Sequence, residues 1–311
     1  MTFPDTMFRT RLALCIVVAC VAALLAPLTR AQTAPPRIVA SFSILADMTR
    51  ELAPAGTVVT SLVGPNADAH VFEPTPADGR HLAQADLVVV NGLNFEGWVD
   101  RLIKVSGYRG PVVVASQGVK LPASKKPHEG HDHGAVDPHA WQNLAYARIY
   151  VANISSALAT RWPAHQAEIE SRRTAYLARI DKLDRNVRDS LNAIPRAQRR
   201  VITSHDAFGH FGAAYGVDFL APQGWDTHSE PSAAAVARLI RQIRQQGVRA
   251  VFIENISDPR LVERIAQEGG VRVGGTLYSD ALSVPGGPAD TYHRLIEHNT
   301  RTLVDALSKP R

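Results

Sequence analysis

The chain has 311 residues, 45% of them hydrophobic and 20% charged, which is ordinary for a folded protein and long enough for two domains. Its formal charge of +5 includes Arg9, Arg11 and Arg30 against Asp5 in the first 31 residues; beyond them Lys and Arg are interspersed with Asp and Glu. No basic stripe of the kind that marks a nucleic-acid binder is present.

The first segment reads as a targeting signal. Arg9 and Arg11 precede LALCIVVACVAALLAPL (12–28), and Thr29-Arg30-Ala31 follows. A basic start, an apolar centre and small residues before a cut predict a secretory signal peptide over 1–31, cleaved after Ala31. The apolar run is short for a retained membrane anchor. VVAC at 17–20 loosely matches a bacterial lipoprotein cleavage site, so a lipid on Cys20 is the alternative, although the apolar run continues past that residue. Cys15 and Cys20 are the two cysteines of the chain. Beyond Ala31 there is no disulfide, thiolate ligand or cysteine nucleophile, and a metal there must be held by His, Asp and Glu.

Short β-branched runs then recur in two sets. RIVASF (37–42), VVTSLV (58–63), LVVVNG (87–92) and PVVVAS (111–116) form the first; RRVITS (199–204), VDFLAP (217–222), AVFIEN (250–255) and RVGGTL (272–277) form the second. Helical stretches are expected between them at 43–53, 75–84, 94–106, 206–215, 231–246 and 258–269. Nearly continuous apolar strands alternating with helices predict parallel sheets covered on both faces. The fold class expected is α/β, with two similar lobes, each a four-stranded parallel sheet flanked by helices.

A helical region separates the two sets. Residues 142–161 read as one helix ending at Trp162-Pro163, and 164–194 runs on without Gly or Pro. Ile169, Tyr176, Ile180, Leu183, Val187 and Leu191 recur at three-to-four spacing, giving one apolar stripe. A coiled-coil dimer would use such a stripe, but its place between two α/β halves fits an intramolecular brace better, so a monomer is expected. The divisions expected are an N-terminal lobe at 32–162, a linking helix at 163–195 and a C-terminal lobe at 196–311.

Twelve histidines need sorting, four of them in HEGHDHGAVDPHAW (128–141). Position relative to the strands sorts them, because ligands of open α/β sheets bind beyond the strands' C-terminal ends. His70 follows the strand at 58–63, His139 lies in DPHAW, His205 directly follows the strand at 199–204, and Asp280 lies three residues past the strand at 272–277. Two come from each half, as a site between two lobes requires. Three His and one Asp supply the four ligands of a closed tetrahedral site. Glu254 is the competing carboxylate. His128, His131 and His133 fall in a Gly- and Lys-flanked loop expected to hold metal only weakly. His81, His165, His210, His228, His293 and His298 read as surface or core residues. Ser204 or Asp206 is a candidate cap for the helix after His205, and Ser229 for the helix beyond Pro231.

HVFEPTPAD (70–78), DPHAW (137–141), TSHDAFGHFGAAYGVDF (203–219), SEPSAAAVARLI (229–240) and LYSDAL (277–282) resemble the motifs of zinc and manganese solute-binding proteins of metal ABC importers. The similarity runs in order from about 37 to 310. The resemblance implies a rigid helix joining two lobes, with His70, His139, His205 and Asp280 at the metal-ligand positions; Glu254 reads as a supporting or structural residue. It implies a periplasmic carrier that catalyses no reaction and delivers Zn²⁺ to an ABC permease and its ATPase. A periplasmic zinc chaperone is a further candidate partner. Manganese members tend to carry Glu at the third position, where this chain has His205; three imidazoles suit Zn²⁺, and Mn²⁺ favours oxygen. A surface adhesin is one rival. A zinc hydrolase is another, but Asp280 would fill the open position it needs, and no HExxH-type motif is present.

Overall fold

The computed structural model describes residues 34–121 and 136–309. The leader expected at 1–31, both cysteines and the loop histidines His128, His131 and His133 lie outside the described residues.

The two sets of apolar runs form two sheets. β1 (Arg37–Phe42), β2 (Val58–Val63), β3 (Leu87–Val90) and β4 (Val112–Val114) make a parallel sheet of order β2-β1-β3-β4. β5 (Arg200–Ile202), β6 (Asp218–Leu220), β7 (Ala250–Glu254) and β8 (Arg272–Leu277) repeat that order as β6-β5-β7-β8, again all parallel. Side chains alternate between the faces of a strand, and here both faces are buried. Ile38, Ala40, Phe42, Leu87 and Val89 face one core, while Val39, Val88 and Val90 face another with Leu82, Val99 and Leu102. In the second sheet Val201, Ala250 and Phe252 join the first core, and Ile202 and Val251 pack with Leu239, Ile243, Val262 and Ile265.

That shared core is built around helices. α1 (Ser43–Leu52), α2 (Pro76–Ala83) and α3 (Val99–Ser106) belong to the first lobe. α4 (Leu144–Arg161) leads through a 3₁₀ turn at Pro163–His165 into α5 (Gln166–Asn192), the 27-residue helix between the lobes. α6 (Gly209–Tyr215), α7 (Ala233–Gln246), α8 (Pro259–Gly269) and α9 (Tyr292–Leu307) complete the second lobe. The stripe read on α5 (Ile169, Tyr176, Ile180, Leu183, Val187, Leu191) is buried in the core shared by both sheets. It is covered within one chain.

Several helices begin later than their sequence patterns predict, and for three of them a local reason is visible. α3 starts at Val99, not near 94, because Gly92, Leu93 and Asn94 all have positive φ (82°, 56° and 60°). A left-handed conformation costs an L-residue roughly 1–2 kcal/mol, so a helix cannot run through this turn. At Gly92 a side chain is also barred by space, since a Cβ would lie 2.5 Å from Val114 Cγ1. α6 starts at Gly209, not 206, because the preceding segment pairs sideways: His205 bridges to Gln223, and Asp206 N donates to Gly224 O. Neither Ser204 nor Asp206 caps it; the N-cap is Phe208, without a side-chain bond. α7 is capped by Ser232, which accepts from Ala235 N, and not by Ser229.

Candidate metal centre

Each candidate ligand sits on a segment fixed at its backbone. His70 lies in the loop after β2, its N–H donating to Asp68 Oδ1 at 2.8 Å. His139 immediately precedes a 3₁₀ turn at Ala140–Gln142, and its N–H donates to Asp137 Oδ1 at 3.0 Å. His205 comes off the end of β5, its N–H donating to Glu254 Oε1 at 2.9 Å. Asp280 follows β8, with the preceding carbonyl, Ser279 O, accepting from Trp141 Nε1 at 3.1 Å.

These segments bring the four side chains together. Their ligand atoms lie within 4.8 Å of one another, and among the described residues no other group of three or more His, Cys, Asp or Glu converges in this way. Nε2 of His70 and of His205 each lie 3.2 Å from Asp280 Oδ2, and Nε2 of His139 lies 3.5 Å from Oδ1. His139, His205 and Asp280 are fully buried and His70 is 4% exposed. All three Nε2 atoms and both Asp280 oxygens lack a hydrogen-bond partner. Their contacts with one another are ion-pair approaches without an aligned hydrogen bond. A divalent cation held by the four side chains would satisfy these atoms together.

Carboxylates stand behind two of the rings. Asp137 Oδ1 lies 2.8 Å from His139 Nδ1, the hydrogen bond that turns Nε2 toward the centre. Its other oxygen lies 3.4 Å from His210 Nε2. Gly209 makes room for that carboxylate, because a Cβ there would come within 2.7 Å of Asp137 Oδ2. Glu254 Oε2 lies 2.7 Å from His205 Nδ1, an ion-pair approach off the hydrogen-bond direction. Phe95 packs its ring against His70 at 4.7 Å and against His139 at 5.9 Å, both edge to face.

The metal-free cluster is a set of opposed charges. Burial disfavours charge on His139, but Asp280 and Asp137 overcome it and raise its pKa to about 9. Burial likewise opposes a charged His205, and Glu254 and Asp280 hold its pKa well above the usual imidazole range. Asp280 is pushed up by burial and drawn down further by His139 and His205, so its carboxyl stays ionised well below the usual carboxylate range.

Comparison with known proteins identifies the setting. Residues 38–306 match the family described as ZnuA, zinc-uptake complex component A, periplasmic. The chain belongs to this family. Members are substrate-binding proteins of metal ABC importers and not enzymes. The zinc-binding protein TroA of Treponema pallidum is 32% identical over 279 residues, 88% of this chain and 89% of that protein. Its solved structure aligns with a TM-score of 0.82 at 31% identity, covering 88% of this chain and 100% of the other. The manganese-binding lipoprotein MntA of Halalkalibacterium halodurans is 30% identical over 273 residues, 88% of this chain and 89% of its own. The iron-binding protein YfeA of Yersinia pestis is 32% identical over 269 residues, 86% of this chain and 85% of its own. Family membership therefore makes this chain a metal-binding component of an ABC importer; the relatives' names span three metals.

The remaining described histidines stand apart from the cluster. His81, His165 and His228 are exposed, and His293 and His298 lie half-buried on α9. His210 is buried against Asp137, its Nε2 3.1 Å from the Asp137 carbonyl oxygen and 3.4 Å from Oδ2. Sequence reading left Asp137 and Phe95 without a role. Asp137 carried a usable signal, lying two residues before His139 where a carboxylate reaches both the backbone and the ring. Phe95 carried none, because its approach depends on the left-handed turn before it.

Proposed function

We propose that this protein binds one Zn²⁺ through His70, His139, His205 and Asp280 and delivers it to a membrane permease driven by a cytoplasmic ATPase. The observation that carries this reading is the convergence of three imidazole nitrogens, none with a hydrogen bond, on both oxygens of one buried carboxylate. Three nitrogens and one oxygen make a closed tetrahedral set that suits borderline-soft zinc, whereas Mn²⁺ prefers oxygen donors. Likeness to the zinc-binding TroA supports zinc, while MntA and YfeA set manganese and iron as the competing outcomes. Cu²⁺ and Ni²⁺ would bind such a donor set at least as tightly, so selectivity rests on geometry and supply.

The polypeptide divisions at 32–162, 163–195 and 196–311 are part of this reading, as are a monomeric state and export by the leader at 1–31. The intact mass of the mature chain distinguishes cleavage after Ala31 from a lipid on Cys20. Metal content by mass spectrometry, on protein purified without an affinity tag, tests the cargo: one zinc per chain is expected, and one manganese or iron overturns the assignment. Deletion of the gene separates the rival adhesin. Lost growth under zinc limitation supports transport, and lost attachment alone supports adhesion.

A further inference from the structure

One buried acid near the centre holds no ligand, and its partners link two ligand-bearing segments. Glu96 is 5% exposed. Its Oε1 accepts from Ser41 Oγ and from Asn91 N at 2.6 Å, and its Oε2 accepts from Gly92 N at 3.2 Å. The backbone N–H groups of Asn91 and Gly92 can only donate, one to each oxygen, while burial raises the pKa of the acid against these hydrogen bonds. The tie closes over Gly92, Leu93 and Asn94, whose positive φ values include two side-chain-bearing residues. Such a run persists only where its surroundings over-determine it.

Two consequences of that tie reach the metal centre. Phe95 emerges from the turn to pack on the rings of His70 and His139, backed by Phe42 at 4.9 Å and Trp141 at 4.8 Å. Asn91, fixed by Glu96 at its N–H, donates from Nδ2 to Pro138 O at 3.0 Å and accepts from Tyr150 Oη at 2.5 Å. Pro138 directly precedes His139.

We infer that Glu96 is a positioning residue of the metal centre, pinning the left-handed turn that sets the rings of His70 and His139. It touches neither ring. It acts through Phe95 on one side and through Asn91 and Pro138 on the other. Glu96→Gln must present an amide N–H₂ to at least one of the three donors, which loosens the turn while nearly preserving volume.

The inference rests on the four-ligand reading above, and its test separates the two. The parent and three variants, Glu96→Gln, Ser41→Ala and His205→Ala, are loaded with Co²⁺ and their visible absorption recorded. Zinc affinity is then measured by chelator competition and folding stability by denaturant titration of the metal-free forms. The parent is expected to give a tetrahedral Co²⁺ spectrum that His205→Ala destroys; an unchanged spectrum in His205→Ala would refute the four-ligand reading itself. Glu96→Gln should bind zinc about tenfold more weakly and shift the Co²⁺ bands. Ser41→Ala, which removes one donor and keeps the carboxylate, should do the same to a smaller degree. A purely structural Glu96 would lower stability alone, so parental affinity and an unchanged spectrum in Glu96→Gln overturn the inference. Should Glu96→Gln fail to fold, parental values in Ser41→Ala overturn it equally.

Discussion

Gln142 holds Ser279 across the two lobes: its Nε2 donates to the Ser279 carbonyl at 2.8 Å, alongside the Trp141 indole. His139 lies three residues before Gln142 and Asp280 one residue after Ser279, so two segments of the cluster from opposite lobes are joined near their backbones. Tyr292 Oη extends the joint by donating to Trp141 O at 2.5 Å. Gln142→Ala removes one of two donors to a buried carbonyl, a loss of about 1 kcal/mol. Zinc release into excess chelator, followed by stopped flow, should accelerate several-fold. A release rate equal to the parent's would show that this joint does not hold the centre closed.

Replacing a ligand is expected to cost far more. Tight structural zinc binding is worth about 10–16 kcal/mol, or about 3 kcal/mol for each of four ligands, on the order of a hundredfold in affinity. His70→Ala, His139→Ala and His205→Ala should each fall by at least that factor in competition with a chromophoric chelator. Asp280→Ala should fall less if water takes the vacated position. Parental affinity in any two of the histidine variants would refute the assignment.

The supporting carboxylates should come next in rank. Glu254→Gln and Asp137→Asn keep the shape of each side chain but remove the charge beside an imidazole Nδ1. Loss of such support typically lowers metal affinity 10–100-fold. Isothermal titration with zinc tests both. If Glu254→Ala proved more damaging than Asp280→Ala, Glu254 would be the ligand and Asp280 its support.

Binding should also release protons. His139 titrates at about 9 in the metal-free protein and His205 well above the usual imidazole value, so both carry a proton at pH 7. A metal needs the neutral ring, and the ion must displace roughly two protons. Apparent zinc affinity should therefore rise with pH through neutrality and keep rising to at least about 9. Calorimetric titrations in buffers of different ionisation enthalpy count the protons directly. A count near zero at pH 7 would mean that the empty site is already neutral.

Stability should carry a separate pH signature from Asp47. Burial raises its pKa from 3.8 to about 6, against the hydrogen bond donated by Tyr292 N at the start of α9. The folded state then holds this proton more tightly than the unfolded one. The associated stability is present below about 4 and is lost as pH rises through 6, to a total of about 3 kcal/mol. Asp47→Asn keeps an acceptor for Tyr292 N and removes the titration. Denaturant unfolding of metal-free protein should show the variant gaining on the parent between pH 4 and pH 7. A difference that does not change with pH would assign the effect elsewhere.

The sheets were legible because runs such as LVVVNG and AVFIEN can be buried on both faces only in a covered parallel sheet. The convergence of four side chains was legible because His70, His205 and Asp280 each follow a strand, and beyond strand ends is where such sheets gather side chains. Helix starts were less so: the pattern at 94–106 is apolar enough for a helix, and only the turn at Gly92–Asn94 delays it to Val99. Nothing local reveals that Glu254 faces His205, 49 residues earlier, since the contact depends on the pairing of β5 with β7. Long-range pairing is the information that periodicity lacks.

The long helix α5 limits how cargo can leave. At 27 residues and 1.5 Å per residue it extends about 40 Å, and its buried stripe is shared by the cores of both lobes. Swinging the lobes apart like a jaw would bend this rod, breaking backbone hydrogen bonds and opening the shared core at once. Exchange therefore falls to the short segments that carry the ligands, while the body keeps its outline. A docking permease is then expected to meet nearly the same silhouette whether the carrier is full or empty. It must tell the two apart by what those segments do above the site.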